Sequence, residues 1–301
     1  MPSLYLDSTE FKAYGVSDIT TPEQVAQAST LIDAFMQRDE GLIIETGADG
    51  MPCSMKNLSP RASFSSVGAI SPGAAVSITL TGPVGMLTVG DPLVIDRTVD
   101  ESREVVTVRS LNGNVITADV KFAHADGCKL DAGLTITEQK YMPKGRTVTN
   151  LSRTPVCNVV SGLGRYGYTR RVAENAYTMN DYNLLAAMSH FGGPPIWEPW
   201  PVSVGSVDQG TGQLWIPAGT LLAYFTEIRV HYLAGWSYKD LPSPIKLACA
   251  NIINGRENMP QFAGNMSLLK AGDVTAQRFA ATVLDRDTIA LLSPYVANIQ
   301  G

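Results

Sequence analysis

Charge is scarce in this chain. Asp, Glu, Lys and Arg make up 17% of its 301 residues, against about 25% in an average soluble domain. Such a surface is either covered by neighbouring subunits or that of an ordinary β-rich domain with polar loops. Basic residues are the scarcer sign, 23 against 28 acidic, for a net charge of −5, which excludes a protein that coats nucleic acid through bulk charge. It leaves room for a wall past which DNA slides. Cysteine is rare too: Cys53, Cys128, Cys157 and Cys249 stand far apart with no CxxC pair. His124, His190 and His231 show neither HExxH nor zinc-finger spacing, so no metal is expected and the thiols read as reduced and structural. Also missing is any run near the ~18 apolar residues of a membrane span, and the first ten residues lack the basic and apolar regions of a secretory leader. We expect a protein made in the cytoplasm, with no membrane attachment.

Helical patterning appears early. Thr21-Pro22-Glu23-Gln24 is a capping box with proline at the first helical position, and Val25, Ala28, Ile32, Phe35 and Met36 recur at helical spacing. A helix from about Pro22 to Arg38 follows. From about residue 69 to 140 the signal becomes one of short strands: Val76–Leu80 alternates with period two, Pro92–Ile95 is a compact apolar run, and Asn112-Gly113 marks a hairpin before Val115–Val120. Further strands are expected at Val156–Val160, Gln213–Ile216 and Glu227–Val230, with helices at Asn180–Ser189 and through Ile245, Cys249 and Ile252. The expected organisation is residues 1–66 and 141–301 as one helical and β body, with 67–140 as an inserted small all-β domain. The expected fold class is α+β.

The chemistry-bearing motifs are few. Gly162, Gly164 and Gly167 satisfy GxGxxG, yet Tyr168–Val172 has no apolar helical periodicity, whereas a dinucleotide site needs a helix N-terminus there to hold the pyrophosphate. The same loop interleaves Arg165, Tyr166, Tyr168, Arg170 and Arg171, which can stack on bases or pack against protein. The acidic chain favours protein. No Ser-His-Asp set, nucleophile elbow or phosphate loop is present, and Asp285 and Asp287 read as caps of the last helix. Neither enzymatic activity nor a cofactor is expected. Trp197, Trp200, Trp215 and Trp236, exposed and lining one cleft with carboxylates, would support the alternative of a β-rich hydrolase or glycan-binding module.

The last quarter supplies a resemblance. Tyr232, Ala234, Gly235 and Trp236, then Pro244, Lys246 and Ala248, followed by Leu291-Leu292-Ser293-Pro294-Tyr295, resemble the head-tail adaptor (connector) family of tailed bacteriophages. The likeness spans about residues 21–45 and 150–297, and the inserted β region departs from the family's minimal pattern. The resemblance implies a virion structural protein of the neck, assembled in the host cytoplasm. Its copies would form a ring, usually of twelve, between the portal protein and the tail or neck proteins, with duplex DNA passing through unbound. Ile289, Leu291, Leu292, Pro294 and Tyr295 would contact the portal. Arg165, Tyr166, Tyr168, Arg170, Arg171 and Trp236 would face a neighbouring subunit or the tail, and Asp33, Asp39 and Glu40 would face the channel. Another virion role, in tail completion or decoration, is the other viral reading.

Overall fold

A computed structural model describes residues 4–82, 84–142, 147–165, 197–202, 206–217, 225–257, 268–271, 274–277 and 284–297. The chain divides into two compact units, one from Ile44 to Trp236 and one from Met1–Ile43 with Ser237–Ala297.

The first unit is built of strands. Its opening hairpin joins β1 (Ile44–Thr46) to β2 (Pro52–Met55). Seven strands follow: β3 (Ala62–Val67), β4 (Gly73–Thr81), β5 (Pro92–Ile95), β6 (Glu104–Thr107), β7 (Ser110–Asn112), β8 (Val115–Val120) and β9 (Lys129–Ala132). They form one antiparallel sheet in the order β6-β5-β9-β3-β4-β8-β7, curled so that β6 meets β8. The alternation in the sequence sets its faces. Ile78 and Leu80 of β4 and Ile116, Ala118 and Val120 of β8 point into a core with Phe64, Leu93, Ile95 and Leu130, while the residues between them are exposed or half-exposed. Gly113 turns the β7–β8 hairpin at φ 58°, in the left-handed region that glycine enters without a Cβ penalty. Arg97 ties the opening hairpin to this sheet, donating to Glu45 at 2.9 Å and to the carbonyls of Leu58 and Lys56.

The same unit carries β10 (Ile136–Tyr141), β11 (Val148–Asn150), β12 (Val156–Arg165), β13 (Glu198–Trp200), β14 (Ser206–Val207), β15 (Gln213–Trp215) and β16 (Glu227–Ala234). Four of these make a sheet ordered β10-β16-β12-β13, and β11-β15-β14 make a smaller one. Their core gathers Met55, Ile136, Val156, Trp200, Phe225, Ile228, Val230 and Tyr232. The strand β10 pairs along its whole length with β16, from Ile136 against Tyr232 to Tyr141 against Glu227.

The second unit is helical. In it α1 (Pro22–Met36), α2 (Ser243–Glu257) and α3 (Arg286–Leu292) pack together, with a 3-10 helix at Ser8–Tyr14 and a hairpin of β17 (Leu268–Ala271) and β18 (Val274–Gln277). The capping box of α1 forms as its sequence demands: Thr21 Oγ1 accepts from the Gln24 amide at 3.4 Å, and Gln24 Oε1 accepts from the Thr21 amide at 2.7 Å. Val25, Ala28, Ile32 and Met36 are buried, as are Ile245, Cys249 and Ile252 of α2.

Eighteen strands against three α-helices among the described residues correct the expected fold class. The chain is β-rich, not a helical and β body with one small β insertion. The physical reason is the segment Ile136–Ala234. Its short, Gly- and Trp-containing runs carry weak alternation when read alone, yet they pair through long-range register into two further sheets.

Candidate functional site

Residues of the helical unit carry much of the resemblance, and the structure shows what several of them do. Lys246 is buried on α2 and donates to Glu10 Oε1 at 2.7 Å, with its ammonium 4.6 Å from the Tyr238 ring centroid. Tyr238 also donates to Glu10, so one carboxylate fastens the 3-10 helix to α2. Ala248 is fully buried, where a larger side chain would force the helices apart. In the β unit, Tyr232 is buried and donates to Glu138 Oε2 at 2.7 Å, while Ser152 donates to the same carboxylate. Burial alone would raise the Glu138 pKa, but these bonds and Lys140 hold it below the usual carboxylate range. The motif residues Tyr232, Lys246 and Ala248 are therefore structural.

The C-terminal segment divides. Leu292 is completely buried and Thr288 nearly so, Asp285 caps α3 by accepting from the Thr288 amide at 2.7 Å, and the Ala297 amide donates to the Met36 carbonyl. Ile289 and Pro294 are exposed, and Leu291 and Tyr295 are half-buried. Expecting the segment to leave its own unit as a free docking tail is thus corrected for Leu292, which belongs to this unit's core. Ile289 is 38% exposed, and in the same unit Ile19 is 86%, Leu247 40% and Val296 38% exposed. Among the described residues, this unit leaves four large apolar side chains exposed.

The acidic residues expected to face a channel are corrected in part. Asp33 and Glu40 are buried, and only Asp39 is exposed. Burial pushes the Asp33 carboxyl up to about 7, against the opposing hydrogen bond from the Tyr5 hydroxyl. The Tyr5 oxygen in turn accepts from the Leu42 amide at 3.0 Å. Arg38 is buried as well and lies 3.6 Å from Glu40. These groups form an internal polar knot, not a lining.

Of the residues expected at a subunit or tail interface, Tyr166, Tyr168, Arg170 and Arg171 lie outside the described residues, as does the expected helix Asn180–Ser189. Arg165 ends β12, pairs with Glu227 and lies 4.6 Å from the Trp197 ring centroid. Arg229 lies 4.5 Å from the same ring. Trp236 is half-buried, its carbonyl accepting from the Ile44 amide. Gly162 and Gly164 sit inside β12, where a Cβ would overlap the rings of Trp200 and Phe225 respectively. Those two glycines clear aromatic rings in a sheet and cradle no phosphate. Trp200 is likewise core, whereas Trp215 is 40% exposed, so the tryptophans do not share one cleft.

Two histidine sites went unread in the sequence. His124 is buried between carboxylates, with Nδ1 2.8 Å from Asp96 and Nε2 2.9 Å from Glu104. Burial disfavours its charge, but the two carboxylates outweigh it and raise its pKa. His231 shares the face of β16 with Arg229 at two-residue spacing. It borders a cavity of about 350 Å³ whose wall includes Arg61 and Asp91. Period-two spacing alone pairs Arg229 with His231. Nothing local brings Arg61 or Asp91 to them.

No family model matches this chain, and no curated protein matches it in sequence. Among the described residues no helix is long and apolar enough to cross a membrane.

Proposed function

We propose that this protein is a virion structural component, the head-tail adaptor of a tailed bacteriophage, whose copies close into a ring between portal and tail. The observation that carries the reading is the bare apolar set Ile19, Leu247, Ile289 and Val296 on a helical unit whose own core is already filled by Ile32, Ile245, Ile252 and Leu292. Apolar side chains outside a packed core are available for another chain to cover, and gathered into one patch they mark an interface. Two of them flank or belong to the terminal segment on which the adaptor resemblance rests. In the assembled ring the helical units supply the contacts to neighbours and portal. The net charge of −5 suits a channel through which DNA passes without sticking.

The test is incorporation. Ile289→Glu with Val296→Glu leaves Leu292 and Thr288 in place, so the helical circular dichroism should match wild type while the variant fails to join portal-containing particles. Normal incorporation of that variant would overturn the reading.

A further inference from the structure

The β unit holds a second feature that assembly does not use. His231 and Thr135 are both more than nine-tenths buried, and His231 Nε2 and Thr135 Oγ1 have no hydrogen-bond partner. An orphaned buried polar atom costs about 1–3 kcal/mol, and here both residues that carry one line the same cavity of about 350 Å³. Its mouth carries Arg61, whose side chain is 57% exposed and whose guanidinium reaches the Met86 carbonyl at 3.4 Å and Asp91 at 4.0 Å. Arg229 also lines the cavity. Asp91 Oδ2 is engaged by the Thr88 amide at 2.8 Å, while Oδ1 lies 3.8 Å from His231 Nε2. That gap is too long for a direct hydrogen bond, yet one hydroxyl oxygen about 2.8 Å from each atom can bridge it.

We propose that this cavity binds a small polyhydroxylated carboxylate, a hexuronic acid in size and charge. Volume sets the size, because about 350 Å³ lies near the lower end of ligand pockets and suits a single sugar. Charge sets the acid: two guanidiniums face one carboxylate, and burial keeps His231 neutral by pushing its pKa down to about 4. Guanidinium forks suit a carboxylate, while Asp91, His231 and Thr135 suit hydroxyls. A bare phosphate would leave the hydroxyl partners unused. Both orphan atoms are closed to solvent, so binding requires side chains of the cavity wall to move off them.

Titration calorimetry and saturation-transfer NMR on the full chain, with glucuronate, galacturonate, glucose and inorganic phosphate as probes, test this. At least one uronate should bind, and glucose and phosphate should bind at least about tenfold more weakly. His231→Asn keeps the position of Nδ1, which bonds Thr137 at 3.0 Å, and deletes Nε2; it should weaken uronate binding about tenfold or more. Arg61→Gln, at an exposed position that folding tolerates, should do the same. No uronate binding by wild type, phosphate binding as tight as uronate, or uronate binding unchanged in Arg61→Gln would each overturn the proposal.

Discussion

Single residues in this protein hold charge in unusual states. Asp33 keeps its proton because it is buried beneath Tyr5. A carboxyl whose folded pKa is raised binds more protons than the unfolded chain between its two pKa values, so stability falls as pH rises through that window. The helical unit should therefore lose stability between about pH 4 and about pH 7, by an amount on the order of a few kcal/mol. Asp33→Asn still accepts from Tyr5 and should flatten that slope, read from thermal melts at 222 nm; an unchanged slope would show that Asp33 is not its source. The two described histidines should separate. His124, clamped by Asp96 and Glu104, stays protonated as pH rises through 6.5, and its stabilisation is lost only as pH passes its raised pKa. His231 is depressed instead, so its site is most stable above pH 6.5 and weakens as pH falls toward about 4. Imidazole nitrogen shifts in a pH titration would read both directly. Titration of both near 6.5 would contradict the burial described here.

At the scale of elements, Gly164 and Thr21 make the most specific claims. Gly164→Ala pushes a Cβ into the Phe225 ring and should cost about 1–3 kcal/mol by overpacking. All four tryptophans lie in the β unit, so fluorescence-detected urea unfolding isolates that effect. Thr21→Ala removes the helix cap and should cost about 1 kcal/mol, seen in the helical signal alone. Local signals made these elements readable to different degrees. The capping box, the stripe from Val25 to Met36, the Val76–Leu80 alternation and the Asn112-Gly113 turn each act within a few residues, and each took the expected form. Strands β10, β12 and β16 did not announce their partners, since Ile136 meets Tyr232 and Val156 meets Ala234 only through distant chain segments. The same distance hid the cavity. Arg229 and His231 share a strand face legibly, but Arg61 and Asp91 arrive from another sheet. The misplacement of Asp33 has a local cause: it lies one turn from Ser29 on a helix face beside the apolar stripe, and both are buried.

For the whole molecule, the account rests on assembly. Deleting residues 286–301 would remove Leu292 and the Ala297–Met36 bond, so it should unfold the helical unit and is no clean probe of docking. Surface substitutions at Ile289 and Val296 avoid that. With few basic residues, the chain should bind duplex DNA weakly and lose it by physiological salt, because each phosphate neutralised adds salt-dependent affinity. Tight DNA binding at that salt would point instead to the arginine- and tyrosine-rich segment after β12. The most direct measurement is mass photometry of the purified 301-residue chain at nanomolar to micromolar concentration. A closed ring predicts a discrete species of many times the mass of one chain, reduced to single chains by Ile289→Glu with Val296→Glu. A uniform population of single chains at every concentration would contradict the adaptor account.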